Sequence, residues 1–206
     1  MSKEKNIQTL LLDGGCHCFN FVNTVHSRKE ENVFDYLKNY DDFIDWSERV
    51  ELLPKERLKK LKASAKSNIK VADKTLAETK NKRELLYNFF SGIISQKRVE
   101  DTFLDEFNNT LSVSLSNLAF KISKGKIDLT WNESEVDLSE PLWVVFKNAF
   151  DILTTIPLSR YKECSSCGWL FLDKSKNNSR VWCNMQTCGS LDKAKRYYYR
   201  KKNYSL

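Results

Sequence analysis

The C-terminal fold is decided by Cys164-Ser-Ser-Cys167 and Cys183-Asn-Met-Gln-Thr-Cys188, two cysteine pairs with fifteen residues between them. Each pair lets a tight turn direct two thiolates at one ion, and an insert of this length folds back as a hairpin. Four of the six cysteines thus fall within 25 residues at zinc-ligand spacing. The pattern predicts one Zn²⁺ bound by Cys164, Cys167, Cys183 and Cys188. Because four protein ligands leave no position for water, this zinc would be structural.

Two other interpretations of the cysteines are weaker. Unrelated cysteines would rarely adopt this spacing by chance. An iron–sulfur or redox centre is also built from thiolates, but the aromatic insert, with Trp169, Phe171 and Trp182, favours a small structural core. A module of this size buries too little apolar surface to fold alone, so metal binding would supply its folding free energy.

A strongly basic segment, Asp192-Lys-Ala-Lys-Arg-Tyr-Tyr-Tyr-Arg-Lys-Lys202, follows the last cysteine. Residues 160–206 hold eleven basic and three acidic residues, a net charge of +8, whereas residues 1–159 have a net charge of −1. A helix here would carry strips of cations, with Asp192 as its cap or first-turn acid. Such a field attracts polyanions. The residues predicted to contact nucleic acid are Arg180, Lys193, Lys195, Arg196, Arg200, Lys201 and Lys202.

Three functions suit this tail. Binding to duplex DNA is favoured, because lysine and arginine neutralise phosphates at the end of a rigid zinc module. RNA binding is the second hypothesis, because three consecutive tyrosines can stack on unpaired bases or else pack back onto the hairpin. The third is a zinc-stabilised interaction module whose helix docks on an acidic protein.

The N-terminal part shows helical periodicity, interrupted once by alternation. Apolar residues recur at helical spacing over 69–95, 103–118 and 142–156. Residues 120–131 alternate around a Lys124-Gly125 turn, which predicts a β-hairpin. Asp13-Gly14-Gly15 predicts a turn before a short helix. The predicted fold is mainly α with a small β-hairpin, followed by a treble-clef-like zinc finger with four cysteine ligands.

Local signals predict where elements begin and end. Asp41-Asp42 is expected to cap a helix that ends before Pro54, and a second helix follows it. Ser139 is expected to cap a helix with Pro141 in its first turn. Since the composition changes near Pro157, we predict a helical domain over 1–157 and the zinc finger over 158–206.

The tail resembles the CGNR zinc-finger family, whose members carry an N-terminal ABATE domain. The resemblance covers residues 161–202 and rests on Cys164-x-x-Cys167-Gly-Trp-Leu-Phe-Leu-Asp173 and Ser179-Arg180-x-Trp182-Cys183-x-Met185-x-x-Cys188-Gly189, followed by the basic helix. The N-terminal part is similar at Gly14-Gly15-x-x-Cys18, Phe21-Val-Asn-Thr24 and Pro141-Leu-Trp143.

This resemblance implies a bacterial transcription regulator in which the zinc finger binds DNA and the ABATE domain senses stress or a small-molecule effector. Two positions depart from the family pattern. The signature Cys-Gly-Asn-Arg is Cys188-Gly189-Ser190-Leu191 here, so any contact of that arginine is lost or moved to Lys193 or Arg196. The aspartate that usually precedes Phe-Val-Asn-Thr is Asn20, which removes a charge from the segment.

Composition and motifs argue against other classes of protein. No nucleophile–base pair, carboxylate cluster or glycine-rich phosphate loop is evident, so an enzyme is not expected. No apolar run approaches the ~20 residues that span a bilayer. The N-terminal apolar stretch is too short for a signal peptide. We therefore expect a cytoplasmic protein without a membrane partner, whose cysteines stay reduced.

Several further residues have open roles. Cys16, His17 and Cys18 are expected to pack beside the Gly-Gly turn rather than bind a second metal. For Asn23, Thr24 and Arg28, lining a ligand pocket and satisfying internal hydrogen bonds are equally good interpretations. A homodimer would suit a regulator, but no heptad or evident exposed apolar stripe requires one.

Overall fold

The computed structural model describes residues 4–203, with the side chains of the last two excluded. This part forms seven α-helices and two antiparallel two-stranded sheets. The helices are α1 (His17–Val22), α2 (Tyr40–Arg49), α3 (Lys55–Ser67), α4 (Ile69–Ile94), α5 (Asp101–Ser116), α6 (Glu140–Thr155) and α7 (Ser190–Asn203). The strands are β1 (Leu118–Ser123), β2 (Lys126–Trp131), β3 (Tyr161–Glu163) and β4 (Leu170–Leu172). The mainly α fold class is confirmed. None of the described helices is long and apolar enough to cross a bilayer.

Helix α1 lies at the centre of the apolar core. The Cys16 thiol accepts a hydrogen bond from Phe19 N–H (3.4 Å) and so caps the helix. Phe19 packs edge-on against Phe90 of α4, with ring centroids 4.9 Å apart. Phe21 contacts Trp46 of α2 at 5.5 Å. All four aromatic side chains have no solvent exposure. This short helix therefore brings α2 and α4 onto one core.

The predicted helix ends are only partly right. Helix α2 begins one residue before Asp41 because Asn39 accepts the hydrogen bond of Asp42 N–H, and Asp42 returns the bond in a capping box. It also ends at Arg49, five residues before Pro54, because Glu51 adopts φ +53° and breaks the helix. Helix α6 follows Ser139 as predicted, but the serine side chain makes no capping hydrogen bond.

The zinc-finger segment packs onto the same core. Leu170 and Phe171 of β4 are fully buried and belong to the apolar cluster that contains Phe19 and Phe90. Tyr161 at the start of β3 lies edge-on to both phenylalanines and donates its hydroxyl to a carbonyl of α6 at 2.6 Å. Whether 1–157 and 158–206 fold as separate domains stays a prediction.

The β1–β2 hairpin carries an apolar face that is open to solvent. Direct partners across the strands share a face, and they are Leu118 with Trp131, Phe120 with Leu129, and Ile122 with Ile127. The exposed fractions are 74% for Phe120, 77% for Ile122, 69% for Ile127 and 49% for Leu129. The expectation that no evident apolar stripe is exposed is therefore wrong. Alternation predicted the hairpin, but it carries no information on whether another layer covers the apolar face.

Candidate metal centre and basic helix

The first cysteine pair lies at the turn of the β3–β4 hairpin. Cys164 N–H donates to the carbonyl of Trp169 (2.8 Å), and Gly168 N–H donates to the carbonyl of Cys164 (2.9 Å). Gly168 has φ +75°, and a Cβ there would lie 3.1 Å from the Cβ of Arg28. Glycine is thus needed both for the turn and for close packing. The turn brings the Cys167 thiol back towards the Cys164 thiol.

The second pair is positioned by a π-helical turn over Met185–Gly189. Asn184 begins this turn by accepting hydrogen bonds from the backbone N–H groups of Gln186 (2.9 Å) and Thr187 (3.2 Å). Cys188 lies inside the turn, and α7 starts two residues later. The position of Cys188 therefore fixes where the basic helix begins.

The four thiols converge on a volume suited to one ion. All four sulfurs lie within 4.8 Å of one another. The Sγ atoms of Cys167 and Cys183 are 3.7 Å apart, as are those of Cys183 and Cys188. A tetrahedral zinc with Zn–S bonds of about 2.3 Å needs sulfurs about 3.8 Å apart, so the donor set fits the ion. A disulfide requires about 2.05 Å, and an iron–sulfur cluster would insert several atoms between the sulfurs.

Crowding of the thiols also perturbs their ionisation. Hydrogen bonds from Cys167 and Cys183 lower the pKa of Cys164 far below its usual value of 9.0. The hydrogen bond with Cys164 is the main cause that raises the pKa of Cys167 and of Cys183 above that value. Repulsion between closely spaced negative charges therefore disfavours four thiolates in the absence of a metal. A bound divalent ion would supply the positive charge that keeps all four deprotonated.

Residues 14–28, here called the latch segment, cover the outer edge of β4. The Asn23 side chain donates to the carbonyl of Leu170 (2.8 Å) and accepts from its N–H (3.0 Å), and neither residue is exposed to solvent. Leu172 N–H donates to the carbonyl of Gly14 (3.0 Å). The amide of Asn23 thus occupies the position of a neighbouring strand and satisfies backbone groups that would otherwise be buried without partners.

The latch segment also contacts the metal-binding turn itself. The indole N–H of Trp169 donates to the carbonyl of Val25 (2.8 Å), and Arg28 N–H donates to the carbonyl of Cys167 (2.8 Å). Both bonds join residues more than 130 positions apart in sequence. The metal-binding turn is therefore held by the N-terminal part of the chain as well as by its own hairpin.

Thr24 belongs to a buried ionic network. Arg83 of α4 donates to the hydroxyl of Thr24 (3.0 Å) and to both carboxylate oxygens of Asp35 (2.9 Å each). Burial raises the pKa of Asp35, but the hydrogen bonds and charge of Arg83 outweigh it and hold that pKa below the usual 3.8. The bidentate geometry makes this a strong charge-assisted contact.

Arg28 has a similar internal role. Its guanidinium lies 2.7 Å from Glu84 and 3.8 Å from the ring centroid of Tyr87. Of the two open roles for Asn23, Thr24 and Arg28, the structure supports internal hydrogen bonding. The sequence signal was polar side chains within an otherwise apolar stretch, but it gave no partner for any of them.

Arg180 contributes to the structure of the zinc-finger loop. The buried carboxylate of Asp173 accepts from the backbone N–H groups of Ser175 and Arg180, both at 2.8 Å. The guanidinium of Arg180 then donates to the carbonyl of Cys183 and lies 4.9 Å from the ring centroid of Phe171. Its predicted contact with nucleic acid stays a prediction, and this side chain already has structural contacts.

Helix α7 presents its cations to solvent. Lys193, Lys195 and Arg200 are exposed, and none of them forms an ion pair with a described residue. Arg196 pairs with Asp192 at 2.9 Å, but its side chain is 66% exposed, and such surface pairs are weak. Asp192 is the first-turn acid that favours the helix dipole.

The tyrosines of α7 do not pack back onto the β3–β4 hairpin. Tyr197, Tyr198 and Tyr199 are 60%, 64% and 62% exposed. The ammonium of Lys201 lies 5.4 Å from the ring centroid of Tyr197. Lys202 belongs to α7, but its side chain lies outside the described part. The exposed rings therefore remain open to stacking with a ligand.

A cavity of about 450 Å³ separates the first turn of α7 from the N-terminal residues. Leu191, the residue that replaces the family's arginine, lines it and is 59% exposed. Trp169 and Leu11 add apolar surface, while Cys167, Cys183 and Cys188 border it. The charged side chains around it are three lysines and two carboxylates: Lys5, Lys29, Lys195, Asp13 and Glu30.

Cys16 and Cys18 lie away from the four-cysteine group. Cys16 caps α1, and burial raises the pKa of its thiol to about 12. Cys18 is fully buried in the core. Within residues 4–203, only the Cys164, Cys167, Cys183 and Cys188 thiols form a group of three or more metal-ligating side chains close enough to share an ion.

Comparison with protein-family models agrees with this geometry. The ABATE model, described as "Putative stress-induced transcription regulator", matches residues 15–156. The model described as "CGNR zinc finger" matches residues 160–201. No curated protein matches the chain. Because the first match covers well over half of the 206 residues, the chain belongs to the ABATE family of transcription regulators and carries a CGNR zinc finger at its C-terminal end.

Proposed function

We propose that Cys164, Cys167, Cys183 and Cys188 bind one structural Zn²⁺ and that α7 delivers its cations to duplex DNA, as part of a bacterial transcription regulator acting in the cytoplasm. The observation that carries this proposal is the direct continuation of the Cys188 turn into α7. A ligand-bearing turn of this kind gives the basic helix a fixed starting point and direction.

The dimensions of α7 support binding to DNA. Fourteen residues give a helix about 21 Å long. The described α7 residues are exposed, apart from the half-buried Asp192, so the helix projects as a rod that can enter a major groove about 12 Å wide. Lys193, Arg196 and Arg200 share one face, where they can neutralise phosphates along the groove.

The test is salt-dependent binding of the zinc-loaded full chain to labelled nucleic acids, measured by fluorescence anisotropy. The double substitution Lys193→Gln and Arg200→Gln is expected to raise the Kd for duplex DNA on the order of 100-fold near 0.1 M salt. It should also lower the slope of log Kd against log salt by about 2. The matched control, Lys60→Gln with Lys66→Gln in α3, removes two exposed charges elsewhere and should leave the slope unchanged.

Two results would refute this proposal. One is no binding to duplex DNA at low salt when zinc is bound. The other is an equal loss of affinity in the α7 and α3 double variants, which would mean that only total charge matters.

RNA is the second candidate target, because the three exposed tyrosines are suited to stacking on unpaired bases. Tyr198→Ala should weaken binding to single-stranded RNA on the order of tenfold or more if one base stacks there. The same change should leave binding to duplex DNA nearly unaltered. A lower Kd for single-stranded RNA than for duplex DNA at equal ionic strength would favour this alternative.

The cavity beside α7 is where we place a small-molecule effector of the regulator. Its apolar surface from Leu191 and Trp169, with an excess of one positive charge from three lysines against two carboxylates, suits an apolar group that carries an anion. A ligand there would touch both α7 and the N-terminal residues. Its occupancy would therefore change the stability of α7 in its present position. We also propose that the regulator forms a homodimer.

A further inference from the structure

The apolar face of the β1–β2 hairpin has no role in the functions described so far. Four side chains, Phe120, Ile122, Ile127 and Leu129, lie together on it and are 49–77% exposed. They leave about 500 Å² of apolar surface in water. That is the size of the largest apolar patch on a typical monomer, and such patches are often functional.

The hairpin is anchored at one end only. The ring centroids of Trp131 and of Trp143 in α6 lie 6.3 Å apart, and Asn132 N–H donates to the carbonyl of Asn117 at 2.7 Å. Beyond this base, no described strand pairs with the outer edge of β1 or β2. Two-stranded sheets are marginal when nothing covers their apolar side. The far half of the hairpin therefore lacks the covering layer that its sequence pattern requires.

We propose that a second copy of this chain covers this face, with the two hairpins packed face to face about a two-fold axis. Such a contact is isologous, since each copy offers the same apolar surface to the other. Two faces together would bury on the order of 1,000 Å², which reaches the lower limit for a specific protein interface. The area thus reaches the minimum that a specific dimer needs without any third component.

The charge distribution agrees with a second copy as the occupant. The charged strand residues Lys121, Lys126 and Asp128 point to the opposite face, so face-to-face packing buries no charge. Residues 1–159 have a net charge of only −1, so this part of two copies can approach without strong repulsion. The +8 tail, in contrast, repels its own copy and disfavours a dimer formed through α7.

The test is the mass of the zinc-loaded full chain in the absence of nucleic acid, measured by sedimentation velocity over a range of micromolar concentrations. The expected mass is about 48 kDa, twice the 24.1 kDa of one chain. Ile122→Glu should raise the dimer dissociation constant at least 100-fold, because it places like charges across the two-fold axis. Lys121→Glu is the matched control: it introduces the same residue one position away, on the opposite face, and should leave the mass unchanged.

A second variant distinguishes loss of the dimer from misfolding. Phe120→Thr with Leu129→Thr removes apolar area but keeps residues that favour strands, and it should also give a monomer. Unchanged zinc content and circular dichroism would show that the variants are folded. A monomeric wild-type chain, or a dimer that survives both face variants, would overturn the inference. The readout is mass alone, so the proposed nucleic-acid function can stand or fail independently.

Discussion

Replacing Asn23 by alanine is the sharpest test of how the zinc finger is attached to the helical part. The Asn23 amide makes two hydrogen bonds to Leu170, at 2.8 and 3.0 Å, and both residues are completely buried. Asn23→Ala leaves the N–H and carbonyl of Leu170 without partners in the interior. The alanine side chain is too short to replace either bond, and a water molecule that filled the space left by the amide would have to be ordered inside the core.

The expected loss of unfolding free energy follows from these two unpaired backbone groups of Leu170. A buried donor or acceptor left without a partner costs about 1–3 kcal/mol, so the substitution should destabilise the protein by about 2–6 kcal/mol. Domains of this kind are stable by only about 5–15 kcal/mol. The loss would therefore be a large fraction of the total. Since β4 follows the turn that carries the first cysteine pair, zinc should also be released faster.

The assay is urea unfolding at a fixed saturating zinc concentration, followed by far-ultraviolet circular dichroism, together with the rate of zinc transfer to a coloured chelator. Asn108→Ala is the matched control, because Asn108 is exposed on α5 and its replacement suits a helix. If Asn23→Ala changes the free energy of unfolding by less than about 1 kcal/mol, β4 does not depend on the latch segment and the reasoning fails.

Three further predictions test other parts of the structure. Cys183→Ser should abolish zinc binding and unfold the tail, as measured by metal content and by proteolysis of residues 160–206; retention of one zinc per chain would contradict it. Because Arg83 holds the pKa of Asp35 below 3.8, this contact stabilises the fold at neutral pH and is lost as the pH falls below about 4 through the lowered value. Asp35→Asn should therefore lower the free energy of unfolding at pH 7 and make it depend less on pH in the acid range. If urea titrations show the same loss of stability towards acid pH in the variant and the wild type, this prediction is refuted. Leu191→Arg should raise the slope of log Kd for duplex DNA against log salt concentration by about 0.9. An unchanged slope would mean that the first turn of α7 lies away from the phosphates.

The features that sequence predicted well are those set by neighbouring residues. The cysteine spacing predicted the convergence of four thiols, because a tight turn and a short hairpin leave the chain few other arrangements. Helical periodicity predicted α4 over Ile69–Ile94 almost to the residue. Alternation around Lys124-Gly125 likewise predicted the β1–β2 hairpin.

What sequence could not supply was the partner of each buried polar group. Asn23 and Leu170 are separated by 147 positions, and no periodicity links an amide side chain to the edge of a distant strand. The same limit applies to Arg83 and Asp35, which are 48 positions apart. At the start of α2 the difficulty was different. Asn39 and Asp41 are both good caps, and only the reciprocal bond with Asp42 decides between them.

These distant contacts also determine how the helical part can influence α7. The described side chains of α7 are almost all exposed, so the helix gains little from packing and takes its direction from the Cys188 turn. That turn is fixed by the metal ligands, and the first ligand pair is held by Trp169 and Arg28 through the latch segment. A change in the helical part can therefore reach α7 by two physical routes: displacement of the latch segment, or occupation of the cavity that Leu191 lines. Since zinc stabilises the turn in either case, both routes should alter the direction of α7 while its helical structure and the metal are retained.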